Sequence, residues 1–271
     1  MPELPEVETV VRAIRPALIN RQICAFWYDW EMVFNHVPAR MIEDQIMQQE
    51  ILGVSRRAKY IVIQLTHDYL VIHLKMTGRL YVCPAEEIHD ADKWVHFKLG
   101  LNDGNELRFS DPRKFGKVYL MTTLESLEAK LGPEPLEDAF SLEIFLERIK
   151  GYKRKIKPLL LDQGFIAGVG NIYADEALNR AHIHPERLAN TLNPEELENL
   201  YLMIRQVLQD GIAYEGASVS WYRKPDGTKG ESQNHFYAYN QEGKPCRFCG
   251  HPIEKIRVAQ RGTHYCPHCQ I

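Results

Sequence analysis

The spacing of hydrophobic residues in the first half of the chain predicts a helix followed by β-strands. One apolar stripe at the N-terminus recurs at helical spacing and consists of Val7, Val10, Val11, Ile14 and Leu18. Short runs rich in β-branched residues follow it, at positions 61–65, 69–74, 95–99 and 117–120. The sequence NDGN at 102–105 favours a hairpin turn between two of these runs. The pattern therefore predicts an N-terminal helix and an antiparallel β-sandwich over residues 1–131.

The pattern becomes helical after the turn-forming sequence GPEP at residues 132–135. Apolar residues then recur at helical spacing over 142–149, 156–161, 172–180 and 194–209. Residues 215–232 are rich in glycine and polar residues and predict a long loop, a kind of segment that often carries function. We therefore predict an α+β multidomain protein. Its expected parts are a sandwich domain at 1–131, a linker at 132–150, a helical domain with the loop at 151–232, and a small domain at 233–271.

Composition and charge narrow the class of protein only slightly. Hydrophobic residues make up 45% and charged residues 25% of the 271, which excludes a mostly disordered chain. No apolar run approaches the ~18 residues of a membrane-spanning helix, and the acidic, proline-containing N-terminus is not typical of a secretory signal. We therefore expect no membrane partner and a cytoplasmic location. The net charge of −3 does not by itself suggest nucleic acid, but basic clusters occur at 56–59, 113–114 and 153–157. Any one such cluster is most often a solvated face, and patches rather than total charge decide phosphate binding.

Four cysteines near the C-terminus have the spacing of a structural zinc site. Cys246 and Cys249 form one Cys-x2-Cys pair, and Cys266 and Cys269 form a second after sixteen intervening residues. A redox motif would not need a second pair at this spacing. Four thiolates leave no open coordination position, so one structural Zn²⁺ per chain is expected, and the hairpin between the pairs displays Arg261. The remaining cysteines, Cys24 and Cys83, are expected in the core.

The N-terminal sequence could supply a nucleophile. If Met1 is removed, which the small second residue favours, Pro2 carries an α-amine whose pKa of ~7.7–8.0 lies well below that of lysine. A secondary amine can still form an iminium ion with an aldehyde carbon, and the carboxylates of Glu3 and Glu6 are close by in sequence. The alternative is that a Pro-Glu sequence is simply a good helix start, and spacing alone favours that alternative.

Five motifs together resemble one family across essentially the whole chain. They are PELPEVE at 2–8, HLKMTG at 73–78, SDPRKFG at 110–116, GVGNIYADEAL at 168–178 and QRGTHYCPHC at 260–269. These motifs are similar to those of the bacterial formamidopyrimidine-DNA glycosylases. The resemblance implies a helix–two-turn–helix fold for the helical domain, a lesion-recognition loop at its end, and a zinc-finger β-hairpin at 233–271.

The resemblance also implies roles for individual residues. Pro2 would attack the deoxyribose C1′, Glu3 would act as general acid and base, and Glu6 would support Glu3. Lys59 would lie near the lesion and its phosphate, and Arg261 would bind phosphates around the extruded nucleotide. Further phosphate contacts are expected at His73, Asn171 and Tyr239. The three side chains expected to fill the space left in the duplex are Met76, Arg113 and Phe115.

The function implied by the resemblance is that of a bifunctional DNA glycosylase and lyase of base-excision repair. It would release 8-oxoguanine and formamidopyrimidines from damaged double-stranded DNA through a Schiff base and then cut the strand by β- and δ-elimination. A monomer associated with the bacterial nucleoid is expected. One alternative is the endonuclease VIII type, which prefers oxidised pyrimidines; Leu4 and the Met76, Arg113 and Phe115 set argue against it. The other is a catalytically silent zinc-ribbon module that only binds DNA, against which Pro2, Glu3 and Lys59 argue.

Three residues depart from the pattern of that family. Trp221 stands where a smaller or acidic residue is expected, Ser232 replaces an aromatic residue, and Asn240 follows Tyr239 where glycine is usual. Two of the three lie within 215–232, so the preferred lesion stays open at this point.

Overall fold

The computed structural model describes residues 1–271, which fold into two compact units. Unit 1 comprises Met1–Glu128 together with Glu215–Glu231. Unit 2 comprises Ala129–Tyr214 together with Ser232–Ile271. The chain therefore leaves unit 1, forms most of unit 2, returns to unit 1 for one segment, and ends in unit 2.

Unit 1 contains the predicted helix and antiparallel sandwich. Helix α1 (Leu4–Leu18) precedes eight strands, which are β1 (Ile23–Tyr28), β2 (Ile51–Arg57), β3 (Tyr60–Leu65), β4 (Tyr69–His73), β5 (Arg79–Pro84), β6 (Val95–Leu101), β7 (Asn105–Ser110) and β8 (Lys117–Met121). They form two antiparallel four-stranded sheets, in the orders β1-β6-β7-β5 and β2-β3-β4-β8. Two short helices, α2 (Ala39–Ile46) and α3 (Glu125–Glu128), complete the unit.

Helix α1 forms part of the core of unit 1 because one of its faces is apolar. All five residues of the predicted stripe are buried. The helix contacts β2 and β3 of one sheet and β5 of the other, so both sheets and the helix share one hydrophobic core. This packing fixes the position of the N-terminal residues that precede α1.

Unit 2 is built from four helices and one β-hairpin. The helices are α4 (Leu142–Ile149), α5 (Ile156–Leu160), α6 (Asn171–Arg180) and α7 (Pro194–Ala213), and the hairpin pairs β9 (Glu254–Val258) with β10 (Arg261–Tyr265). Helix α7 begins where Asn193 accepts a hydrogen bond from the backbone of Glu196 at 2.9 Å. Helix α6 packs against both α7 and β10, which places the zinc-finger hairpin against the helical part of this unit.

The predicted domain boundaries differ from these units in three places. Residues 233–271, predicted as a separate small domain, belong to unit 2 together with the helices. The predicted linker 132–150 contains α4 and belongs to unit 2, because Phe145 and Ile149 on that helix are buried. The segment 215–231, predicted as part of the helical domain, belongs to unit 1, because the ring of Tyr222 is buried in the sandwich core. Loop sequences give no periodic signal, so a single buried tyrosine was not recognisable as an anchor.

Two further expectations from the sequence can be compared with the structure. Cys83 is buried as expected, but the expectation for Cys24 is wrong: it is exposed, at the irregularity in the pairing of β1 with β6 between Ile23 and Ala25. None of the helices has the length and the hydropathy that a bilayer span requires.

Candidate active site and zinc centre

The N-terminal carboxylates are held together at the start of α1. Glu3 is the N-cap residue of the helix, and its backbone N–H donates to Glu6 Oε2 at 2.8 Å. Pro2, Glu3 and Glu6 are all buried, whereas Met1 is exposed. Two carboxyl groups therefore lie at the positive end of a helix dipole, directly beside the residue expected to act as nucleophile.

Glu6 also connects the N-terminus to the segment 215–231. Its second oxygen, Oε1, accepts a hydrogen bond from the backbone of Ala217 at 2.7 Å. The neighbouring Gly216 has a φ of +81°, and a Cβ there would lie 2.9 Å from Glu6 Cγ. This link was not found from the sequence, although a glycine at the start of a long loop is a signal of close approach.

His73 lies in unit 1 near two lysines and is held in its neutral form. The pKa of His73 is lowered to about 3. Burial is the largest cause, and the positive charges of Lys75 and Lys59 add to it. Its Nδ1 accepts the backbone N–H of Lys75 at 2.9 Å, which leaves the ring proton on Nε2. Lys59 itself is buried in the turn between β2 and β3, after Ala58 with a φ of +52°. Neutral His73 can thus donate a hydrogen bond to a phosphate but carries no charge.

Three side chains of unit 1 are expected to fill the space that the extruded nucleotide leaves in the duplex, and all three are exposed. Met76 is 40% and Phe115 47% exposed, so neither is a core residue. The guanidinium of Arg113 lies 4.6 Å from the centroid of the Phe115 ring, which is a cation–π distance. A buried carboxylate, Asp111, shapes this loop by accepting hydrogen bonds from the backbones of Phe115 at 2.8 Å and Gly116 at 2.7 Å. Asp111 was not identified from the sequence.

In unit 2, the residues expected to contact phosphate surround strand β10. Asn171 is the first residue of α6, and its Nδ2 donates to the carbonyl of Gly262 at 3.0 Å. Arg261 precedes that glycine, is exposed, and follows a two-residue turn of Ala259 and Gln260, both with positive φ. The ring of Tyr239 lies against His264 of the same strand, with centroids 5.3 Å apart.

The segment that carries Tyr239 is held by a buried carboxylate. Glu176 accepts three backbone hydrogen bonds, from Tyr237, Ala238 and Tyr239, at 2.8–2.9 Å. Burial raises the pKa of Glu176, and these three hydrogen bonds oppose that shift. The next residue, Asn240, has a φ of +61°. Asparagine is among the few residues besides glycine that adopt this conformation readily, which explains the departure from glycine there.

The basic cluster 153–157 is only partly a surface cluster, because Lys153, Arg154 and Lys155 are exposed and Lys157 is not. Lys157 is fully buried, and its Nζ lies 2.6 Å from Asp175 Oδ1 and 2.7 Å from Thr263 Oγ1. Arg154 pairs with Asp162, and Lys155 pairs with Glu186. Lys157 therefore ties α5 and α6 to strand β10, and a run of charges in the sequence could not distinguish this buried ion pair from a surface cluster.

The four C-terminal cysteines form a structural zinc site. Their sulfur atoms lie within 4.8 Å of one another, with Cys246 and Cys269 3.9 Å apart and Cys249 and Cys266 3.5 Å apart. Zn–S bonds of ~2.3 Å in a tetrahedron require sulfur atoms about 3.8 Å apart, so the donor set fits Zn²⁺. Four sulfur ligands close the coordination shell, and the metal therefore anchors the hairpin that carries Arg261.

Comparisons with known proteins agree along the whole chain. Residues 1–118 match the formamidopyrimidine-DNA glycosylase N-terminal domain, residues 131–223 the formamidopyrimidine-DNA glycosylase H2TH domain, and residues 243–271 the zinc finger found in FPG and IleRS. The formamidopyrimidine-DNA glycosylase of Herpetosiphon aurantiacus is 47% identical, with all of both chains covered. That of Pelotomaculum thermopropionicum is 43% identical, covering 100% of this chain and 99% of the relative.

Solved structures give the same match. A mutant of the Lactococcus lactis FPG in complex with a Fapy-dG containing DNA superposes with a TM-score of 0.92 at 34% identity and 99% coverage of both chains. The Lactococcus lactis Fpg with an abasic site containing DNA gives 0.91 at 34% identity, again with 99% of both chains covered.

Proposed function

The chain belongs to the formamidopyrimidine-DNA glycosylase family, and from that premise we propose that it is a bifunctional DNA glycosylase and AP lyase of base-excision repair. Its substrates are oxidised purines, 8-oxoguanine and formamidopyrimidines, in damaged double-stranded DNA. We further propose that it acts as a monomer in the bacterial cytoplasm, on the DNA of the nucleoid.

The observation that carries this proposal is the pair of buried carboxylates beside Pro2 at the start of α1. After removal of Met1, the Pro2 amine attacks C1′ of the damaged nucleotide, and the base leaves with the electron pair of the glycosidic bond. The amine passes its proton to the Glu3 carboxylate, and the sugar ring opens as O4′ takes that proton from Glu3, which gives the iminium ion. Glu6 supports Glu3 through the hydrogen bond to its backbone.

Strand cleavage follows from the same iminium ion. Loss of the C2′ proton to a base expels the 3′ phosphate in β-elimination, and loss of the C4′ proton then expels the 5′ phosphate in δ-elimination. Water hydrolyses the remaining iminium ion, which releases the sugar fragment as an aldehyde and restores the Pro2 amine. Each elimination needs one proton acceptor. The Glu3 carboxylate can take the C2′ proton after it has protonated O4′, and it can take the C4′ proton after it has released the C2′ proton to water.

The DNA contacts in this proposal come from residues of both units. Arg261, Asn171 and Tyr239 bind phosphates, as do Lys59 and His73. The exposed side chains of Met76, Arg113 and Phe115 occupy the space that the extruded nucleotide leaves. The zinc ion supplies no chemistry to the reaction, because its four sulfur ligands leave no position for substrate.

Borohydride trapping tests the proposal. A duplex that contains 8-oxoguanine opposite cytosine is incubated with the protein and sodium borohydride, which reduces an iminium ion to a stable covalent adduct. We expect an adduct whose protein part begins at Pro2 by mass spectrometry, because a retained Met1 makes the Pro2 nitrogen a non-nucleophilic amide. Binding without any adduct or strand cleavage would support the silent DNA-binding alternative. Preferential trapping on an oxidised pyrimidine would support the endonuclease VIII alternative.

A further inference from the structure

The segment Glu215–Glu231 is an ordered loop whose two ends meet. A Cβ on Gly230 would lie 2.2 Å from the carbonyl oxygen of Gly216, so the two backbones are in direct contact. The backbone of Gly230 also donates to Ser218 Oγ at 3.0 Å. A closed loop of this kind needs its own internal packing to stay in one conformation.

Three anchors hold this loop to the rest of unit 1. The buried ring of Tyr222 lies in the sandwich core, and its hydroxyl donates to the carbonyl of Glu215 at 3.2 Å. Arg79 on β5 donates to the carbonyl of Pro225 at 3.0 Å. The third anchor is the hydrogen bond from Ala217 to Glu6. Because the anchors flank the positions between Ala217 and Tyr222, the side chains there are presented from a fixed backbone.

Trp221 is the largest side chain that this part of the loop presents. It is 54% exposed, although tryptophan is costly to leave in water. Its indole makes a T-shaped contact with Trp94, with centroids 6.2 Å apart and planes at 86°. Such a contact covers at most one face of the ring, so a planar apolar face stays available for a ligand.

The loop begins beside the catalytic carboxylates. The backbone N–H groups of Glu3 and Ala217 bind the two oxygens of one carboxylate, that of Glu6. Trp221 follows Ala217 by four residues, and four residues span at most about 14 Å. We therefore expect the base of a nucleotide whose C1′ is bonded to Pro2 to lie near this loop.

We propose that Trp221 stacks on the extruded base and is a specificity-determining residue for the base-excision step; this rests on the proposed function. Base stacking on an aromatic side chain contributes roughly five- to a hundredfold in affinity, and a two-ring purine offers the indole a larger face than a pyrimidine. A nucleotide that has already lost its base gains nothing from this contact. Trp221 thus contributes to only one of the two activities of the enzyme. It assists base release and does not affect strand cleavage at an abasic site.

Two substrates and four proteins test this separation under single-turnover conditions. The substrates are a duplex with 8-oxoguanine opposite cytosine and the same duplex with an abasic site, and the variants are Trp221→Ala, Trp221→Phe and the control Val219→Ala. Val219 is 38% exposed in the same loop and has no role in the proposal. For Trp221→Ala we expect base release to fall by roughly five- to a hundredfold, with cleavage at the abasic site within about twofold of wild type. Trp221→Phe, which keeps a ring, should recover most of the loss, and Val219→Ala should behave as wild type.

The outcomes separate this inference from the proposed function. Base release by Trp221→Ala at the wild-type rate, or an equal loss of both activities, would overturn the role of Trp221. Wild-type protein that cleaves neither duplex would instead overturn the proposed function. Thermal unfolding of each variant identifies any loss that comes from misfolding.

Discussion

The hydroxyl of Thr77 donates a hydrogen bond to the buried carboxylate of Asp111, and this contact joins two loops of unit 1. One loop carries Met76, and the other carries Arg113 and Phe115. Asp111 also accepts the backbone N–H groups of Phe115 and Gly116. A single carboxylate therefore fixes the relative positions of the two loops. These loops carry all three side chains that are proposed to fill the space left in the duplex.

The substitution Asp111→Asn tests this arrangement. An amide keeps only one acceptor oxygen and turns two N–H donors toward groups that are themselves donors. We expect the free energy of unfolding to fall by about 2–3 kcal/mol, because hydrogen bonds to a buried charge are lost. Chemical denaturation measures this change, and excision of 8-oxoguanine should fall with it. Thr77→Ser, which keeps the hydroxyl, is the matched control. An Asp111→Asn protein with wild-type stability and activity would show that the carboxylate does not organise the loops.

The lowered pKa of His73 predicts how its share of DNA binding depends on pH. A charged imidazole would bind phosphate more tightly as the pH falls through 6.5, whereas a neutral Nε2–H donor would not change. Since the pKa is about 3, we expect the difference in Kd between wild type and His73→Ala to be constant between about pH 5.5 and 8. Fluorescence anisotropy with a labelled duplex measures it. A difference that grows on acidification would mean that His73 binds as a cation.

The same pKa predicts a contribution to stability. The folded-state value lies below the value of 6.5 in the unfolded chain, so the unfolded chain takes up the proton first as the pH falls. The contribution of neutral His73 is therefore complete above pH 6.5 and is lost progressively toward pH 3. His73→Gln, which cannot titrate, should show a shallower loss of unfolding free energy over this range.

The parts of the fold that depend on periodic burial could be predicted from the sequence. The apolar stripe of α1 and the predicted strands are confirmed. Each of these patterns places apolar side chains on one face of a regular element. The zinc site is also predictable, because a tetrahedral thiolate shell requires closely spaced cysteine pairs. The residue roles in the remaining site came from the resemblance to a family.

Contacts between elements distant in sequence could not be predicted in this way. Lys157 belongs to a run of basic residues, yet its ammonium is buried against Asp175. Likewise, the Glu6 carboxylate binds the backbone of Ala217, 211 positions away. No local pattern carries this information, because the partner is chosen by tertiary packing rather than by neighbouring residues.

Removal of one zinc ligand should disrupt the hairpin of unit 2 and leave the sandwich of unit 1 folded. In Cys249→Ala we expect loss of bound zinc together with loss of DNA affinity, because the hairpin that carries Arg261 loses its anchor. The core of unit 1 contains no zinc ligand and should stay folded. Metal analysis, anisotropy and circular dichroism measure these three properties. Cys24→Ala removes an exposed cysteine from β1 and is the control. Full strand cleavage by zinc-free protein would contradict this account.

Arg113 is expected to read the base opposite the lesion and to favour cytosine over adenine. Its guanidinium lies over the exposed ring of Phe115 and offers only hydrogen-bond donors. The free edge of cytosine presents two neighbouring acceptors, O2 and N3, whereas adenine presents one acceptor beside an amino donor. By analogy with bidentate base contacts, the difference is worth roughly 1–3 kcal/mol. Excision opposite cytosine also restores the original pair, whereas excision opposite adenine would fix a mutation.

The test of this assignment is single-turnover excision of 8-oxoguanine paired with cytosine and with adenine. Wild type should favour the cytosine pair by about ten- to a hundredfold, and Arg113→Ala should lose most of that preference. Lys114→Ala removes a neighbouring exposed cation from the same loop and should keep the preference while weakening binding through charge alone. If Arg113→Ala discriminates as well as wild type, the guanidinium acts only as a stacking wedge or a phosphate contact, and the partner base is read elsewhere.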